Sequence, residues 1–150
     1  MRRFRFRLER VLRYRETREQ IAYRAVQEAA RQRAQLQEQI RALTEQMRQL
    51  AGATLHPAEW AHRERTLEAL QTRLQRLQDT LPLLIEQESH AREVYLQARR
   101  EREALTQLRI RAYEQHQQEM NRLFQNAIDE AAVYAYQRRL SEDPATGAGD

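Results

Sequence analysis

The chain has 150 residues, of which 32% are charged and 41% hydrophobic, with three glycines, three prolines and no cysteine. That balance excludes disulfides, thiolate catalysis and cysteine–zinc sites, and three glycines cannot build a phosphate-cradling loop. A chain so rich in Arg, Glu, Gln, Leu and Ala reads as long helices that bury a narrow seam rather than a broad core.

All 26 basic residues are arginine, and the formal charge is +4. Residues 1–24 hold nine arginines and three glutamates, so the basic character belongs to the N-terminal segment and the remainder is slightly acidic. No secretory signal is expected, because arginines interrupt every apolar run at the start. An organelle transit peptide is disfavoured by Glu9, Glu16 and Glu19. No run reaches the length of a membrane span. The absence of cysteine fits a reducing compartment.

In chain order, the first predicted element is a helix over about residues 3–51. Leu36, Ile40, Leu43, Met47 and Leu50 recur at alternating four- and three-residue steps, the seam of a coiled coil. Upstream, Val26, Ala22, Leu12 and Leu8 keep the phase while Arg33, Glu19 and Arg15 interrupt it. Residues 52–56 form a turn, with Gly52 expected to take a left-handed backbone at the helix end. Pro57 opens a second helix, predicted over about 57–141, with Glu59 in its first turn, where the helix dipole favours an anion.

The second seam is stronger. Leu67, Leu70, Leu74, Leu77, Leu81 and Leu84 share one face, and Glu88, Ala91, Tyr95, Ala98, Arg102 and Leu105 continue it. Glu88 and Arg102 make it polar opposite the weak half of the first helix. Leu108, Ala112, Met120, Leu123, Ala127 and Ile128 follow in a phase that reads as shifted. Pro82 predicts a kink, since it cannot donate to the carbonyl of Gln78. The tail, 142–150, reads as disordered.

A short turn between two such helices predicts an antiparallel hairpin. Matching Leu50 to Trp60 places Leu43 by Leu67, Leu36 by Leu74 and Leu12 near Ala98. Residues from 106 to about 140 would then overhang as a bare amphipathic helix of roughly 50 Å, a surface that calls for a partner. The fold class is therefore all-α: a long antiparallel two-helix coiled-coil hairpin with an overhanging C-terminal helix.

Catalytic chemistry finds little material. His56, Glu59 and His62 lie close in sequence at the turn, but a metal there would need ligands that no second cluster offers. His90 and His116 stand alone. The carboxylates each have arginines within a turn and read as surface pairs. A two-helix hairpin lacks a concave pocket. No enzyme activity, metal or cofactor is expected. The N-terminal arginines, with Phe4, Phe6, Tyr14 and Tyr23, could instead serve nucleic acid, an acidic membrane surface or a solvated structural face. The exposed leucines could serve a coiled-coil dimer. Against nucleic acid stand the interspersed glutamates and the weakness of the adjoining seam.

The pattern F-x-F-x-L-x-x-V-L-x-x-R, present as Phe4, Phe6, Leu8, Val11, Leu12 and Arg15, resembles the start of the bacterial flagellar export protein FliJ family. Trp60 opening a Leu-rich second helix and the late pair Asp129 and Glu130 extend the resemblance over nearly the whole chain. It implies a non-enzymatic two-helix coiled coil similar to the central stalk of rotary ATPases. Such a protein sits in the pore of the hexameric flagellar export ATPase, helps assemble that ring, and couples it to the membrane export gate. An escort role toward export chaperones, and a place at the cytoplasmic side of the membrane at the flagellar base, are implied too. The stalk proteins of virulence type III secretion share the design. On this resemblance Arg2, Arg3, Arg5, Arg7, Arg10 and Arg13, with Leu123, Phe124, Ile128, Arg138 and Arg139, are expected to face the ATPase. Trp60, Thr66, Leu70 and Leu74 are expected to face the gate, Thr66 standing where the family leads one to expect an aromatic.

Overall fold

The computed structural model describes residues 2–142; the expected disordered tail lies, but for Glu142 at the helix end, outside the described residues. Among the described residues all regular structure is helical: α1 (Glu9–Gly52), the short 3-10 turn η1 (Pro57–Glu59) and α2 (Trp60–Glu142). The two long helices pack against each other. The chain divides into two compact units, one of Met1–Arg10 with Ala104–Asp150 and one of Val11–Glu103.

Val11–Glu103 contains most of α1, the turn and the first half of α2. The expected seam residues of α1 are the covered ones: Leu12, Ala22, Leu36 and Leu43 are buried, and Arg15, Glu19, Val26, Arg33, Ile40, Met47 and Leu50 are half-buried. On α2 the half-buried positions include Leu67, Leu70, Leu74, Leu77, Leu81, Leu84, Ala91, Tyr95, Ala98 and Arg102, while Glu88 is buried. α2 is continuous through Pro82. A single proline removes one intrahelical bond, and the unchanged leucine phase on either side keeps both segments on one face.

Gly52 differs from expectation. It is the last residue of α1, its backbone is outside the left-handed region, and open space surrounds its Cα. The reversal is made instead by residues 53–56 and by η1. There the Glu59 N–H donates to the His56 carbonyl at 2.9 Å, and the Glu59 carboxylate accepts from the His56 N–H at 3.2 Å. Arg63 reaches back and donates to the Ala53 carbonyl at 3.4 Å.

The polar members of the seam find one another across the helices. Arg15 donates to Glu101 at 2.5 Å, Arg102 to Glu19 at 2.6 and 3.2 Å, and Tyr23 meets Tyr95 with ring centroids 5.6 Å apart. Arg33 Nε donates to one Glu88 oxygen, while Arg92 donates to the other at 2.7 Å. From Glu19 through Tyr23 to Arg33 on α1, the partners on α2 fall from Arg102 through Tyr95 to Glu88. The register differs from the leucine matching. Arg15 meets Glu101 where that matching would put a residue near 95, and Arg33 meets Glu88 where it would put one near 77, so the partners on α2 lie about six to eleven residues further along.

The other unit holds the largest difference. Residues 2–6 are not helical, and α1 starts at Glu9 rather than near residue 3. The Glu9 N–H donates to the Phe6 carbonyl at 3.2 Å, closing the turn that starts the helix. Residues 2–8 run along α2 instead. The bare stretch expected from 106 is therefore covered as far as Met120, with Leu105, Thr106, Ala112, His116 and Met120 half-buried. The phase after Leu105 is continuous rather than shifted: Arg109, Ala112 and His116 occupy the next steps, and Arg109 pairs with Glu9 at 3.2 Å. From residue 121 to 142 every side chain is exposed.

Three outcomes follow for stability. Glu88 is 5% exposed between two guanidinium groups. Glu88→Ala leaves Arg33 half-buried and unpaired, and is expected to cost about 2–4 kcal/mol in urea denaturation; Arg33→Leu with Glu88→Leu is expected to regain most of that. The hydrogen bond from Arg102 holds the Glu19 carboxyl below its ordinary value of 4.5. Its contribution is complete above the unfolded value and is lost as pH falls through the folded one. Glu19→Gln is thus expected to destabilise at pH 7 and to flatten the acid limb of the stability curve below about pH 4.5. Gly52→Ala, at a helical position with room for a Cβ, is expected to stabilise by about 0.5–1 kcal/mol in the same assay.

Candidate functional surface

The N-terminal segment alternates. Phe4, Phe6 and Leu8 are half-buried, whereas Arg2, Arg3, Arg5 and Arg7 are exposed. A helix would scatter these residues over several faces; an extended chain sends successive side chains to opposite sides. Distance along α2 gives the same answer. At one end Glu9 pairs with Arg109. At the other, Arg2 lines an open groove of about 680 Å3 with His116, Met120, Leu123 and Phe124. Phe4 lies against Tyr113 and His116 and Arg2 beside His116 and Leu123, so the non-helical residues 2–6 advance lengthwise along α2 from Arg109.

Aromatic contacts hold the segment down. Phe4 meets Tyr113 edge-to-face with centroids 5.2 Å apart, and His116 at 5.5 Å. Such pairs add about 0.5–1.5 kcal/mol beyond the area they bury. Glu9, the nearest carboxylate in sequence, is committed to Arg109. No ion pair among the described residues engages Arg2, Arg3, Arg5, Arg7 or Arg10, so this end of the unit presents a row of uncompensated guanidinium groups.

The same unit carries the far end of α2. Leu123, Phe124 and Ile128 are exposed there, Phe124 to 62%. Arg138 and Arg139 are exposed in its last turns. Sequence reasoning missed Val133, Tyr134, Tyr136 and Leu140, which are equally exposed. Their spacing from Phe124 through Ala127 and Ala131 to Tyr134 was the available signal. Asp129 is held by Gln125 at 3.1 Å. The structure thus brings Arg2 together with Leu123 and Phe124. Arg13 lies in the Val11–Glu103 unit, exposed, with its carbonyl accepting from the Thr17 hydroxyl at 3.0 Å.

The second expected site is less open. Trp60 is 52% exposed. Leu70 and Leu74 are half-buried seam residues, and the half-buried Thr66 donates its hydroxyl to the His62 carbonyl at 2.9 Å. These four do not form one exposed patch. Nearby, the Glu59 carboxylate is engaged by the His56 backbone, and no group of three potential metal ligands exists among the described residues. No described helix is long and apolar enough to cross a membrane.

Comparison with known proteins agrees with the residues. No curated protein and no solved structure gives a significant match. The family described as flagellar FliJ protein matches residues 4–141, from the first anchoring phenylalanine to the last turn of α2. The chain belongs to the FliJ family and is a component of the flagellar protein export apparatus.

Proposed function

We propose that this chain is the central stalk of the export apparatus: an antiparallel coiled-coil hairpin that docks on the hexameric export ATPase, promotes assembly of its ring and couples it to the membrane export gate. The observation that carries the reading is the unpaired arginine row beside a fully exposed apolar helix end. An exposed patch of this kind on an otherwise seam-packed chain marks an interaction surface. Guanidinium groups freed of internal partners are suited to bidentate pairing with carboxylates on a protein wall. The opposed numbering of Glu19–Arg102, Tyr23–Tyr95 and Arg33–Glu88 supports the hairpin.

On this reading Arg2, Arg3, Arg5, Arg7, Arg10, Leu123, Phe124, Ile128, Arg138 and Arg139 form the ATPase-facing surface. Trp60 supplies the most accessible contact toward the gate, with the exposed edges of Leu70 and Leu74 beside it. The protein works at the cytoplasmic side of the membrane at the flagellar base, associated peripherally, and escorts export chaperones.

Charge reversal tests the docking. With Arg5→Glu, Arg7→Glu and Arg10→Glu combined, stimulation of ATP turnover by the cognate ATPase is expected to fall to the level without stalk. Helicity should stay unchanged, because residues 5 and 7 precede α1 and Arg10 is exposed. Undiminished stimulation would refute the docking surface. Steeply salt-dependent binding to a short DNA duplex, with no effect on ATPase, would favour a nucleic-acid role.

A further inference from the structure

We infer that residues 2–6 form a strand-addition element, whose main chain pairs with an edge β-strand of the partner bearing carboxylates at alternate positions. The inference rests on the docking surface proposed above and specifies how its N-terminal part binds.

Three observations carry it. The first is geometry: the segment is extended and runs along α2 from Arg109 toward Leu123. Its alternate side chains are spoken for, Phe4 on Tyr113 and His116 beneath it and the arginines outward. In such a chain the N–H and C=O groups point sideways, parallel to the supporting surface. The second is hydrogen bonding. Among the described residues, the Phe6 carbonyl, which accepts from Glu9, is the only main-chain group of residues 2–6 with a main-chain partner outside the helices. The rest constitutes an open strand edge, the feature that a partner sheet extends.

The third observation is charge, and it selects the occupant. A second copy of the segment would set arginine opposite arginine across the ladder, which is unfavourable. A partner strand with Asp or Glu at alternate positions meets Arg3 and Arg5 with opposite charge, and each guanidinium can grip a carboxylate with two bonds. Because Phe4, Phe6 and Leu8 already fix the segment on α2, much of the ordering cost of strand pairing is met before the partner arrives.

Strand pairing leaves a signature that side-chain attraction does not. An added strand bonds through every second residue, so its amides are protected alternately. The test is residue-resolved hydrogen exchange on the full chain, alone and with the cognate export ATPase. The expected result is slowing of about tenfold or more at alternate amides within residues 3–6, with intervening amides unchanged. A complex that forms with uniform or no protection there would overturn strand addition and leave the docking surface standing. No complex at all would overturn both. Binding to phosphatidylglycerol vesicles in place of the ATPase, without the alternating pattern, would assign the arginines to lipid headgroups and overturn the inference.

Discussion

The carboxylate of Glu88, gripped from opposite sides by Arg33 and Arg92, is the constraint on which the Val11–Glu103 unit depends. Leucines at heptad spacing supply attraction but little information, because sliding one helix past another by seven residues sets leucine against leucine again. A buried carboxylate cannot slide in this way. Displaced by one heptad, Glu88 would lose Arg33 and remain desolvated, at a cost that the repeated leucines could not offset. Glu19 with Arg102 and Arg15 with Glu101 repeat the device toward the other end of the seam. The seam is thus built of two materials: leucines that hold the helices together and ion pairs that decide where.

This division explains what could be read from the amino acids. Both helices, the turn between Gly52 and Pro57, and the face each helix buries follow from the spacing of apolar residues, and the polar interruptions at Arg33, Glu88 and Arg102 were visible as such. The register was not legible, because matching leucines has several equivalent solutions and the polar residues that choose among them were treated as weaknesses. Likewise, following only apolar residues after Leu105 suggested a change of phase, when Arg109 and His116 continue the stripe as a salt-bridging and a ring-stacking member. At Pro82 α2 remains one helix, and the leucine face continues on both sides of it.

The N-terminal segment teaches a sharper lesson. F-x-F-x-L has a period of two, the mark of extended chain, yet its position at the head of a helical sequence invites a helical reading. The alternation places three apolar anchors on α2 and sends Arg3, Arg5 and Arg7 outward, a separation that a period of 3.6 would not achieve, while Arg2 shares the anchors' side and lines the groove beyond them. The family resemblance was carried by this same pattern, so the residues that identify the chain are those whose conformation local helical context obscured. The candidate docking residues were found by charge and apolarity. Tyr134 was reachable through the steps Phe124, Ala127 and Ala131, two of them alanine and so weak as a signal, whereas Tyr136 lies off that stripe.

The outward row is arginine throughout, and the chain has no lysine anywhere. A guanidinium stays protonated across any pH a cell survives, and lysine acetylation, the common enzymatic route to erasing a positive side chain, has no substrate among the side chains here. The electrostatic face of this protein is therefore a constant. Any on–off control of contacts made through it has to be exercised on the opposing surface, by exposing, neutralising or withdrawing acidic groups there, or by physically lifting the phenylalanine-anchored segment from α2.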